Sequence, residues 1–317
     1  MHKKVVVLGG GTGISYLLRG LKDFPVDITA IITVSDNGSS TGKLRKEFNT
    51  PAVGDIRKVI TNLSGIDDPI KEMMEYRFTT SSDLNGHAVG NLILTSMLEI
   101  TGSLKESIAC LSKLLDVKHK VLPISEDSNL VLMGIEKDGT ITEGEEQITK
   151  AHRNFEKICY KEEPKVLKEV IQAINEADLI IFSMGSLYTS ILPNIICSDV
   201  REALNNSKAP IMYLCNAVTQ PGETDNFTVG DHVELLNKYL DFRHIDVVIA
   251  SNTKIDKEMA KKYETEEQKE PVKIDYKKIS KLDVELIESD LIVVDDNTLK
   301  HNSLKLSSLV FSYLMRD

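Results

Sequence analysis

Two short stretches hold the residues best suited to a charged ligand. One reads Gly9-Gly10-Gly11-Thr12-Gly13 and the other Ser35-Asp36-Asn37-Gly38-Ser39-Ser40-Thr41-Gly42. Glycines in a turn let a phosphate approach the backbone, and a threonine adds a hydroxyl donor. If the first stretch opens a helix, the backbone of Gly10, Gly11, Thr12 and Gly13 faces an anion along with the positive end of the helix dipole. In the second, Asn37, Gly38 and Ser39 offer small polar groups, and Lys43 and Arg45 follow as cations for the same anion or as partners in surface salt bridges. Asp36 stands where a dinucleotide-binding fold places its ribose-binding acid. It equally suits a metal held between phosphates, or an Asx turn or helix cap with no ligand.

The familiar fingerprints are near misses. G-x-G-x-x-G fits Gly9 and Gly11 but meets Ile14 where its third glycine belongs. A P-loop fails as well, because the span from Gly38 to Lys43 is one residue short and Leu44 replaces the magnesium-binding hydroxyl. Oxidoreduction with a nicotinamide cofactor is therefore the weakest enzymatic reading.

Other candidates follow along the chain. Asp55 reads as the N-cap of a helix burying Ile56, Val59, Ile60 and Leu63, and with Arg57 it is placed to join the site. His87 suits a general acid or phosphate donor, or a cap or core group. Asn91, beside Gly90, is suited to close approach by a ligand or to packing. Gly185, Ser186 and Thr189 lie in a small-residue loop before a helix, and Asn216 and Thr219 lie in a polar loop through Thr224.

The elements that must position these groups follow from periodicity. Val5, Val6, Val7 and Leu8 form an unbroken apolar strand, and Ile14, Leu17, Leu18 and Leu21 repeat at helical spacing. Similar buried strands are expected at 28–34, 179–183, 211–215, 245–250 and 291–294, with another at 121–124. Each glycine-rich or polar loop would sit at a strand's carboxyl end, where open α/β sheets bind ligands. Residues 69–117 read as helical throughout and are expected to cap the sheet. Asp138-Gly139 marks a hairpin between 130–136 and 140–148, read as an antiparallel arm on the sheet edge. Residues 254–283 read as a solvated surface excursion, and 304–314 as a closing helix. The expectation is a single α/β domain over 1–317, Rossmann-like and doubly wound, with a mainly parallel sheet.

Composition narrows the partners. The 317 residues carry a formal charge of −10, which argues against nucleic acid as the main partner. Cys110, Cys159, Cys197 and Cys215 form no C-x-x-C pair, so neither a disulfide framework nor a structural zinc site is expected. No signal peptide or membrane-length apolar run is read, and a cytoplasmic location is expected.

The motifs G-G-G-T-G, V-S-D-N-G-S-S-T-G-K-L-R, G-D-I-R, H-A-V-G-N-L, G-S-L-Y-T-S-I-L-P-N and C-N-A-V-T-Q-P-G-E-T occur in this order. In this the chain resembles the 2-phospho-L-lactate transferase-like family, above all its bacterial gluconeogenesis-factor branch. The transferase branch moves a phospholactyl group from a nucleotide diphosphate carrier to a deazaflavin alcohol with a divalent metal. The resemblance to the bacterial branch implies a cytoplasmic factor for cell shape and wall synthesis on gluconeogenic carbon. It implies a UDP-sugar such as UDP-N-acetylglucosamine as ligand, with cell-wall synthesis proteins as partners; a homodimer stays open. It also implies phosphate cradling by residues 10–13, a base or ribose role near Asn216 and Thr219, and Mg2+ at Asp36 and Asp55. Where the family often has G-P-G-S-L-Y and a second G-G, this chain has Ser183-Met184-Gly185-Ser186-Leu187-Tyr188 and Gly38-Ser39. Such changes weigh on catalysis more than on nucleotide binding. The leading expectation is a nucleotide-sugar-binding regulator, and the alternative is a transferase of the phospholactate type.

Overall fold

Val5, Val6, Val7 and Leu8 are all buried, as a strand with helices on both faces requires. They belong to β1 (Lys3–Gly9) in the computed structural model, which describes residues 2–153, 155–295 and 298–316. From β1 the chain runs through α1 (Gly11–Leu21), β2 (Val26–Ile32), α2 (Ser39–Phe48) and α3 (Gly54–Leu63). It continues through α4 (Asp68–Glu75), α5 (Val89–Thr101) and α6 (Leu104–Leu114) to β3 (Lys120–Pro123). Next come β4 (Leu132–Ile135), β5 (Ile141–Glu143), α7 (Glu145–Ala151) and β6 (Lys157–Tyr160).

Then α8 (Lys168–Asn175) returns the chain to β7 (Leu179–Phe182), and a π-helical turn at Leu187–Ile191 runs into α9 (Leu192–Ile195) and α10 (Ser198–Asn206). The second half adds β8 (Ile211–Leu214), α11 (Val229–Lys238), β9 (Val247–Ser251), α12 (Lys257–Lys262), α13 (Tyr276–Ile279) and β10 (Glu285–Ser289). It closes with β11 (Ile292–Asp295), β12 (Thr298–His301) and α14 (Ser303–Leu314).

The main sheet has the order β10-β9-β8-β7-β1-β2-β3, with every pairing parallel. The chain leaves β1 toward β2 on one side and later returns to β7 on the other, so the strand order reverses at β1/β7. In a doubly wound sheet such a switch point opens the ligand crevice at the carboxyl ends of the strands.

Several expectations change. Residues 69–117 are not helical throughout: α4 ends at Glu75, and an Arg77–Ala88 bridge closes a Thr-, Ser-, Asn- and Gly-rich turn before α5. The arm is a separate antiparallel sheet in the order β5-β4-β6. Its strand over 140–148 stops at Glu143, because Gly144 turns at φ 101° and Glu145 opens α7. Residues 254–283 are not simply solvated, since Tyr263 and Ile279 are buried and Pro271 bridges to Val218. The sheet's outer strand, β10, lies outside the expected strands: Glu285 and Glu288 bracket only two apolar residues, as suits a charged edge strand. The expected last strand is β11, which pairs with β12 in an antiparallel ribbon outside the main sheet.

Candidate functional site

The loops after β1, β2, β7 and β8 converge at the carboxyl edge around the β1/β7 boundary. Gly11 adopts φ 65°, a conformation glycine accepts freely, and its N–H donates to Asp55 Oδ2 at 2.5 Å. A Cβ on Gly13 would fall 1.7 Å from the Met184 carbonyl oxygen, so the first loop closes directly on the loop after β7. Thr12 is exposed at the start of α1. A helix start leaves backbone N–H groups without partners one turn back. Here Gly11 gives its own to a carboxylate.

Asp55 is not the N-cap of α3. Val53 holds that position, and Asp55 sits in the first turn with Oδ1 3.1 Å from Lys58 Nζ. An acid there is favoured by the helix dipole, and its reach to Gly11 ties α3 to the first loop.

The second loop is also knit by its own side chains. Asp36 Oδ1 accepts the Gly38 N–H at 2.9 Å. Asn37 accepts the Glu146 N–H at 2.8 Å and donates to Gln147 at 3.1 Å, joining the loop to α7. Ser39 and Lys43 are exposed on α2. Arg45 turns away from the crevice and donates to the carbonyls of Ser35, Asp36, Ser128 and Leu130 at 2.9–3.1 Å.

Arg57, His87 and Asn91 lie beneath this loop. Arg57 Nε donates to Asn91 Oδ1 at 3.2 Å, Asn91 Nδ2 to Ser40 Oγ at 3.2 Å, and Ser40 Oγ meets His87 Nδ1 at 3.1 Å. Arg57 also forms an ion pair with Glu75 and is 1% exposed. These residues fasten α2, α3 and α5 to one another.

On the opposite wall, Asn216 accepts the Gly185 N–H at 2.8 Å and donates to the Gly185 carbonyl at 2.7 Å. This doubly bonded amide clamps the loop after β8 to the loop after β7. Thr219 is buried, and both its N–H and its hydroxyl bond the Glu270 backbone. Ser186 Oγ donates to Glu223 at 2.6–2.8 Å and accepts from the Thr189 N–H and hydroxyl at 2.9 and 2.8 Å. A cleft of about 210 Å³ runs between the first loop and this wall, bordered by Thr12, Tyr16, Gly185, Asn216 and His301.

The sequence reading missed the acidity of this edge. Burial and then the neighbouring Asp55 push the Asp36 carboxyl up. Burial pushes Glu145 up to about 7, and the charges of Asp36, Asp55 and Glu223 add to it against a hydrogen bond from Thr189. Burial also raises Glu223, opposed by its bonds to Ser186 and the Tyr188 N–H. Glu223 lay within a quoted motif, whereas Glu145 reaches the edge only because Gly144 ends β5 and starts α7.

No group of three or more His, Cys, Asp or Glu side chains among the described residues could hold a metal ion. A magnesium ion carried by a diphosphate needs only one or two carboxylates. Asp36 and Asp55 fit that smaller requirement, although Asp55 now engages Gly11 and Lys58.

The comparisons with known proteins show the family and the fold. A gluconeogenesis factor of Halalkalibacterium halodurans is 41% identical over 97% of this chain and 95% of its own. One of Bacillus subtilis strain 168 is 39% identical over 98% of both chains. A crystal structure of a Bacillus halodurans protein superposes with a TM-score of 0.94 at 41% identity, covering 98% of this chain and 100% of that one. The model of 2-phospho-L-lactate transferase CofD matches residues 5–292, and the chain belongs to that family.

Proposed function

We propose that the chain binds a nucleotide sugar of the UDP-N-acetylglucosamine type at the β1/β7 crevice and acts as a regulator rather than as a catalyst. The observation that carries this reading is the meeting of the glycine-opened start of α1 with the loops after β7 and β8 across one cleft. A helix start favours an anion, and the crevice at such a switch point takes ligands of the nucleotide kind. The relatives named gluconeogenesis factors support a role in growth on gluconeogenic carbon. We extend that role to cell shape and wall synthesis in the cytoplasm, through contact with cell-wall synthesis proteins. No helix among the described residues is long and apolar enough to cross a membrane.

The family match favours a second reading, a transferase drawing a phosphate-linked group from a nucleotide diphosphate donor. There Asp36 and Asp55 would meet a donor-borne magnesium ion, which would offset charge on the phosphates. Calorimetric titration with UDP-N-acetylglucosamine, with and without magnesium, tests the first reading. Saturable binding with the sugar nucleotide recovered intact supports it. Absence of binding in both buffers would sink it, and release of nucleoside monophosphate would move the assignment to the transferase.

A further inference from the structure

A second groove, about 570 Å³ in volume, lies outside the crevice between α1, α3 and α4. Its walls carry Arg19, Lys22, Lys58 and Lys71 against only two carboxylates, Asp68 and Glu75, in a chain whose net charge is −10. Both acids are engaged: Glu75 pairs with buried Arg57, and Asp68 with Lys71 at 3.4 Å. Lys58 faces Asp55 at the crevice end. At the other end Lys22 Nζ is held by the carbonyls of Asn62 and Ser64 at 2.9 and 3.0 Å, and Arg19 donates to Asn62 Oδ1 at 3.3 Å.

Burial, then the Lys71 charge, push the Lys22 ammonium down; Asp23 opposes and Arg19 adds. Carbonyls at the end of α3 account for the placement of Lys22, as for any cation at a helix C-terminus. They do not account for Arg19 and Lys71 converging on the same end. Asp68 is a weak competitor for Lys71, because its side chain is 88% exposed and the pair is long.

We propose that the Arg19–Lys22–Lys71 end of this groove binds a small, multiply charged anion, a phosphate or a polycarboxylate, separately from the ligand of the crevice. Thr12, Ser15, Arg19 and Lys22 follow one another along one face of α1. Ten residues of helix rise about 15 Å, so the two sites are separated by roughly that length. The anion replaces the poor cation–cation arrangement with charge-assisted hydrogen bonds.

The test titrates the full chain with inorganic pyrophosphate and, separately, with citrate. At least one probe should bind saturably, and its affinity should fall at least tenfold in Arg19→Gln/Lys71→Gln and weaken with added salt. Asn216→Ala, on the crevice wall across from α1, should leave it unchanged. Binding of pyrophosphate alone assigns a phosphate, and binding of both assigns recognition by charge. If the double variant melts early, Lys71→Gln alone should still lose at least threefold. No binding of either probe at millimolar concentration, full affinity in folded groove variants, or loss in Asn216→Ala would each overturn the proposal. UDP-N-acetylglucosamine titrated into the same variants reads the crevice on its own, so the two sites stand or fall separately.

Discussion

At the scale of residues, the edge of the sheet holds acids that burial and one another keep from ionising readily. Glu145 is protonated more readily folded, at about 7, than at its ordinary 4.5. Between those values the folded chain holds the extra proton, so stability declines as pH rises from 4.5 to 7 and then levels. Glu145→Gln should therefore raise the melting temperature at pH 8 and leave it unchanged below pH 4.5. A melting series across pH measures this, and an equal shift at both ends would assign the effect to packing. Thr12 leads to a different measurement. Its exposed hydroxyl at the start of α1 should contribute one hydrogen bond to a charged group, roughly 1.5–3 kcal/mol. Thr12→Val should thus weaken UDP-N-acetylglucosamine about tenfold to a hundredfold in calorimetry. What sequence made legible at this scale was the small residues, because a turn that admits a phosphate must exclude side chains. The use of the polar groups was not legible. Asn216 spends its amide on Gly185, Thr219 bonds Glu270, and Asn91 joins Arg57 to Ser40. Those pairings depend on partners distant in sequence.

Elements are held in place by a few side chains that cross between them. Arg45 bonds two carbonyls of the second loop and two of the segment before β4, so it joins the main sheet's edge to the antiparallel arm. Arg45→Met would leave these half-buried carbonyls short of a donor. We expect a loss of at least about 3 kcal/mol, given about 1.5–3 kcal/mol for a bond to a charged group and incomplete additivity. Urea unfolding would check it, and a variant within 1 kcal/mol of the parent would refute the brace. The same elements show why some structure was legible and some was not. β1, β7 and β8 are buried on both faces and read as unbroken apolar runs. β10 holds only two apolar residues between two acids, and β6 is four residues long with a lysine at its start, so neither stands out from loop. α7 follows three residues of β5 without a polar linker, and periodicity cannot separate two such short neighbours.

For the whole molecule, the first helix is completed by the last. Ser303 Oγ donates to the Tyr16 carbonyl and Ser307 Oγ to the Leu17 carbonyl at 3.2 Å. A Cβ on Gly20 would fall 2.6 Å from Ser307 Oγ, so the two helices touch nearly backbone to backbone. Leu306, Val310 and Leu314 add a buried face to the same seam. Removing residues 302–317 should expose α1 and abolish UDP-N-acetylglucosamine binding, although no residue of α14 borders the crevice. Titration beside a circular dichroism melt would show it, and a truncated chain that binds normally would contradict the coupling. The consequence reaches back to synthesis on the ribosome. The serine–backbone contacts span 287 and 290 residues. At about 5–20 residues per second, translation needs roughly a quarter of a minute to a minute to bring those partners within reach. Until then the glycine loop is made but its helix lacks one wall, so a nascent chain that has not yet added α14 should not bind the nucleotide sugar proposed for the crevice.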